Sequence, residues 1–298
     1  MKYTNRLNLP DALVRAVAAA SDEYDAGDAE FTVTELIGPP RIAALRIAHA
    51  DEIVVDVADC IYAAEGTAFH TLMEKSERMN LTEKRMYTTF EGTRVSGKFD
   101  LLHLNDVGLL QDWKRTSVYQ VLGPAGPQPK FEWEAQLNLL DLILTDNEYF
   151  VQELEIVPVF RDWLKSRART DKAYPQTQAI RIPVQRWSRA KKETFLRDRI
   201  AAHRAARSGP LPECTREERW IRDDTWKVFK NGNKRAMNGG VFKGPDAEDL
   251  ARALTATTPG THVEFVPGEA TRCMDWCAVA KWCTQWQDDM KTGGTLPA

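Results

Sequence analysis

Long apolar runs are missing from this chain of 298 residues: no stretch approaches the roughly 18 consecutive apolar residues of a membrane-spanning helix. No apolar stretch of the secretory-leader kind follows Met1-Lys2-Tyr3-Thr4-Asn5-Arg6, so a cytoplasmic location is expected. Cysteine is scarce. Five is an odd count and too few for a disulfide scaffold of this size, which leaves free thiols or metal ligands in a reducing compartment. An excess of positive charge is also missing, with 40 Lys and Arg against 43 Asp and Glu, which excludes a protein that coats nucleic acid. There is no internal repeat and no low-complexity segment. What remains is the composition of an ordinary globular protein, long enough for one large domain or one domain with a small accessory module.

The most informative residues are Gly97-Lys98-Phe99-Asp100 and, further on, Asp112-Trp113-Lys114. Alternation predicts a hairpin with strands over 94–104 and 108–116 and a turn at Asn105-Asp106-Val107-Gly108. Asp112 and Lys114 are two apart and so share one face of their strand. The neighbours Leu101, Leu102, Leu104, Leu109 and Leu110 are apolar, so these charges sit in a buried sheet, where a charge is costly unless paired or bound to metal. Two carboxylates facing one cavity can hold a divalent cation. A lysine beside them can orient or deprotonate water, or neutralise charge on a phosphate. Upstream, Gly66-Thr67-Ala68-Phe69-His70 precedes Glu74, which puts His70 and Glu74 one helical turn apart. Downstream, Trp133-Glu134-Ala135-Gln136 opens a helix with an amide able to reach substrate.

The order G-x-x-x-H, G-x-x-D, D-x-K and a final Gln resembles the PD-(D/E)XK nuclease superfamily, in its RecB-like branch, over roughly residues 31–160. The resemblance implies an α/β (α+β) fold of the restriction-endonuclease-like kind, with a central mixed sheet flanked by helices. It also implies an Mg²⁺- or Mn²⁺-dependent deoxyribonuclease, an exonuclease above all, similar to nucleases carried by bacteriophages. Asp100, Asp112 and Lys114 would then be catalytic. The metal would take His70, Asp100, Asp112 and the Trp113 carbonyl, with Glu74 behind His70 or on a second metal. DNA is the implied partner, through Gln136 and two basic clusters represented by Arg167 and Lys192. A structure-specific or site-specific endonuclease and a non-catalytic DNA-binding protein on the same fold are the alternatives.

The rest of the chain divides at Ser208-Gly209-Pro210-Leu211-Pro212. Residues 1–207 are expected to form the nuclease core with its N-terminal helices, and 208–298 a small α+β module. In the first part, a helix N-capped by Thr34 is expected to be distorted or restarted at Pro39-Pro40, and Gly66 to break the helix of 53–78. Gly123-Pro124-Ala125-Gly126-Pro127 reads as a flexible turn. In the second part, Cys273, Cys277 and Cys283 have the spacing to converge on one metal centre, with Cys214 preferred as fourth ligand and Cys60 the alternative. RecB-like nucleases of the AddB and CRISPR-adaptation type carry a 4Fe-4S cluster on such a set, so the resemblance implies that cluster, with zinc left open.

Overall fold

In the computed structural model, which describes residues 2–22, 27–104, 107–123 and 126–291, strand β1 (Lys2–Thr4) leads into helix α1 (Asp11–Asp22). Strand β2 (Phe31–Thr32) runs directly into the short helix α2 (Val33–Ile37). The cap is Thr32 and not the expected Thr34: Thr32 Oγ1 accepts from the Glu35 N–H at 3.1 Å. Pro39-Pro40 does restart the helix, as α3 (Pro40–Ala48), with Pro40 at the first position, where a missing N–H costs nothing. Strand β3 (Val54–Asp56) pairs in parallel with β1. Asp56 then N-caps α4 (Val57–Ser76), its Oδ1 accepting from the Ala58 N–H at 3.1 Å. Gly66 does not break α4. A glycine inside a helix costs about 1 kcal/mol relative to alanine, too little to interrupt a helix that tertiary packing supports.

Strands β4 (Leu81–Phe90) and β5 (Thr93–Leu102) form a hairpin through Glu91 and Gly92, both at positive φ as a primed two-residue turn requires. Strand β6 (Leu109–Thr116) follows, and Asn105 and Asp106 of the expected turn before it lie outside the described residues. The short strands β7 (Leu122–Gly123) and β8 (Gly126–Pro127) flank Pro124 and Ala125, which also lie outside them. Then come α5 (Phe131–Asp146), β9 (Glu153–Phe160), α6 (Lys165–Thr170), β10 (Ile182–Val184) and α7 (Arg189–Ser208), the last capped by Ser188. The remaining elements are β11 (Thr225–Lys230), β12 (Ala236–Lys243), α8 (Ala247–Thr257), β13 (Thr261–Val266) and α9 (Thr284–Lys291).

The central sheet is mixed and six-stranded, in the order β10-β9-β6-β5-β2, with β4 along the other edge of β5. Strand β9 is parallel to β6 along its whole length, and α5 is the crossover between them. Ala135 and all of Leu137–Leu144 are buried, as expected of a helix covered on every side, and its leucines join Phe99, Leu110, Leu154 and Ile156 in the main core. This is a mixed α/β fold with a central sheet flanked by helices. The chain forms two compact units, 1–44 with 54–211, and 45–53 with 212–298. In the second, β12-β11-β13 make an antiparallel sheet packed against α8. Among the described residues no helix is long and apolar enough to cross a membrane.

Candidate metal centre

Strand β5 positions the site by leaving part of one edge uncovered. Strand β4 pairs along nearly its full length, so β6 and β2 must share the opposite edge. There β6 pairs only at Leu101 and Leu102, and β2 only at Val95 and Ser96. Between them, Gly97, Lys98 and Asp100 line a cavity of about 540 Å³, together with His70, Glu83, Lys114 and Gln136. Gly97 is required here because α5 packs directly on the strand: a Cβ would lie 2.5 Å from Leu140 Cδ2. Where the β5–β6 ladder lapses, the Asp100 side chain takes over, its Oδ2 accepting from the Trp113 N–H at 2.7 Å.

Three ligand groups meet at this point. His70 Nδ1, from α4, lies 2.8 Å from Glu83 Oε1 and 3.6 Å from Asp100 Oδ1. One ligand atom from each of His70, Glu83 and Asp100 lies within 4.8 Å of the other two, an arrangement that can hold a metal ion. Glu83 falls at the level of Asp100 in the β4–β5 ladder, and its own φ is 48°, a left-handed backbone that costs a non-glycine residue roughly 1–2 kcal/mol. Its second oxygen, Oε2, pairs with Lys98 Nζ at 2.6 Å.

Asp112 and Lys114 complete the ring of charge. Asp112 is buried, and its charge is met by Lys114 Nζ, 2.6 Å from Oδ2. Lys114 Nζ donates to Gln136 Oε1 at 3.0 Å, so the α5 amide fixes the lysine. Each of β4, β5 and β6 thus carries a carboxylate and, two residues away, a cation: Glu83 and Arg85, Asp100 and Lys98, Asp112 and Lys114.

No family model matches the chain, and no curated protein matches it. The crystal structure of SSO0001 is similar over 64% of this chain and 84% of that one, at 15% identity and a TM-score of 0.43. That degree of likeness carries no argument about activity.

The electrostatics follow from crowding of like charge. Burial, and then the Asp112 charge, push the Asp100 carboxyl up to about 7. Burial alone would lower His70, but the carboxylates of Glu83 and Asp100 outweigh it and hold the imidazole above its ordinary value. Burial alone would raise Glu83, but His70 and Lys98 outweigh it and hold the carboxyl low. Lys114 is half-buried, which alone would lower it, yet Asp112 and Asp100 raise it above the usual lysine value.

The structure brings His70, Asp100, Asp112, Lys114 and Gln136 together and adds Glu83, which sequence reasoning missed. Glu74 stands apart, exposed on α4, and Glu83 occupies the place at His70 expected for it. The Trp113 ring is buried 6.2 Å from the His70 ring, and its backbone N–H serves Asp100. Lys192 is not at a DNA surface. It is buried and paired with Asp141, which Arg186 also binds, because an ammonium on the inner face of α7 is tolerated only with such a partner. Arg189 and Arg197 of the same expected cluster pair with Asp146 and Glu91. Arg167 is part-exposed and bonds the Tyr119 hydroxyl at 2.8 Å. Cys214, Cys273, Cys277 and Cys283 all belong to the second unit, whereas Cys60 lies on α4 in the first. Among the described residues, no metal-type group within 4.8 Å includes a cysteine.

Proposed function

We propose that the chain is a metal-dependent DNA nuclease of the PD-(D/E)XK, RecB-like kind, acting from DNA ends. The observation that carries this reading is Asp112. Asp112 and Asp100 are two buried carboxylates crowded together beside one anchored lysine, Lys114, an excess of negative charge that is costly without a further cation. The cluster fits a divalent ion: the carboxylate oxygens of Glu83 and Asp100 suit Mg²⁺ or Mn²⁺, and the His70 imidazole adds a nitrogen ligand. His70, Glu83, Asp100 and Asp112 would hold it.

When bound, the ion supplies a Lewis acid for the scissile phosphate and lowers the pKa of an attacking water. The protein's own groups do the rest. In the metal-free site the neighbouring carboxylates raise Lys114, and as an ammonium it can neutralise charge growing on the phosphate. Gln136 holds that ammonium in place. Lys98 pairs with Glu83 Oε2 and so holds that carboxylate with Oε1 toward His70.

Asp112→Asn and Lys114→Gln are expected to cost on the order of 10²-fold or more in Mn²⁺-dependent cleavage of linear DNA, with melting temperature maintained. Activity near wild type in both variants would sink the assignment. Equal cutting of closed circular DNA would replace the exonuclease with an endonuclease.

For the cysteines we propose a separate 4Fe-4S centre on Cys214, Cys273, Cys277 and Cys283. Burial, then the Cys273 and Cys283 thiols, raise the Cys277 thiol. The Cys214 N–H donates to Gln285 Oε1 at 2.9 Å, and Gln285 Nε2 donates back to the Cys214 carbonyl at 3.0 Å, which ties residue 214 to the segment just past Cys283. Iron and sulfide should be lost in Cys283→Ser and retained in Cys60→Ser. Equal metal content in the two variants would refute the ligand set.

A further inference from the structure

A strip of exposed tyrosines and arginines spans α4, the turn after β6 and the segment after β9. Tyr62 lies on α4 and Tyr119 just past the end of β6. Tyr62 is 53% exposed and Tyr119 64% exposed, high values for aromatic rings. Each ring is braced on one side by a guanidinium. Arg161 stacks over Tyr62 at 3.8 Å from the ring centroid. Arg167 bonds the Tyr119 hydroxyl and itself lies over the buried Tyr174, 4.7 Å from that centroid. The two rings belong to one continuous surface, because the Arg161 N–H donates to the Thr116 carbonyl at 3.0 Å and Asp162 accepts from the Val118 N–H at 2.8 Å. The segment Arg161–Lys172 carries five cationic side chains against two acidic ones, although the chain as a whole is acidic.

We infer that this strip is a stacking surface for single-stranded DNA. The inference rests on the nuclease reading for its purpose but not for its test. An exposed ring braced by arginine offers its free face to a base, and a base offers its own face only when it is unpaired. The surplus of cations beside the rings suits the phosphates of the same strand. A duplex keeps its base faces stacked inside and would use the cations alone.

The test measures binding of labelled oligo(dT), of a duplex of the same length and of oligo(U), in EDTA, so that no cleavage is needed. Wild type should bind the single-stranded DNA more tightly than the duplex. Tyr62→Ala and Tyr119→Ala should each weaken oligo(dT) binding by about fivefold or more. Duplex binding should change by less than twofold. Tyr62→Phe keeps the ring and should stay within twofold of wild type. Both tyrosines are exposed, and unchanged melting temperatures would confirm that the variants fold. Oligo(dT) binding within twofold of wild type in both alanine variants, tighter binding of the duplex, or tighter binding of RNA than of DNA would overturn the inference. Absence of Mn²⁺-dependent cleavage in wild type, with this binding pattern intact, would instead overturn the nuclease reading alone.

Discussion

Asp100→Asn should make the metal-free protein more stable while removing its response to metal. The substitution keeps the shape of the side chain and an oxygen to accept the Trp113 N–H, and it removes a buried charge. Asp100 is 7% exposed, and burial with the Asp112 charge raises its carboxyl to about 7, against about 3.9 in an unfolded chain. The folded chain therefore keeps a proton that the unfolded chain releases, and stability falls as pH rises from about 4 to 7. About three units of separation correspond to at most about 4 kcal/mol at pH 8. An uncharged asparagine escapes that cost, so its melting temperature should exceed that of wild type by several degrees. The assay is thermal unfolding at pH 5 and pH 8, first in EDTA and then with Mn²⁺. The variant should lead at pH 8, the gap should shrink at pH 5, and Mn²⁺ should stabilise wild type only, because binding to the folded state adds to stability. A variant no more stable than wild type at pH 8 in EDTA, or one stabilised equally by Mn²⁺, would refute the reasoning.

Gly97→Ala should cost about 1–3 kcal/mol, since its methyl would press on Leu140 Cδ2 within a packed core, and a melting curve unchanged from wild type would show that α5 yields there. Lys192→Met should lower stability by roughly 2 kcal/mol, less than a fully orphaned charge would cost, because Arg186 still binds Asp141 at 2.7 and 3.0 Å. The salt dependence of DNA binding should be the same in Lys192→Met as in wild type, and a slope reduced by one phosphate contact would put Lys192 back at the DNA surface.

Asp112 and Lys114 were legible in the sequence because a strand repeats every two residues and their apolar neighbours mark burial. Glu83 was not. It lies in a strand among other charged residues, and its value depends on a helix from thirteen residues earlier delivering His70 to it. Its one local signal is a left-handed backbone, which no side-chain pattern reveals. Lys192 misled for the converse reason. A run of charges along a helix reads as a solvated face, and the partner that buries it, Asp141, is 51 residues away. The strand and helix order from α4 to β9 followed from periodicity, whereas Gly66 shows a local breaker overruled by tertiary packing.

The second compact unit is built from two separated pieces of chain, residues 45–53 and 212–298, with the whole of 54–211 threaded between them. On a ribosome the first piece emerges early and must wait. His49 stacks on Trp282 at 4.2 Å, so its aromatic partner exists only when synthesis is almost complete. The unit with the four cysteines therefore closes last, over a very long loop, after the sheet that carries His70's partners Glu83 and Asp100 has had time to form. A fragment ended at residue 208, where composition changes, would carry 45–53 without the residues they belong with. Separating the two units cleanly requires redesigning that early segment as well as cutting the late one.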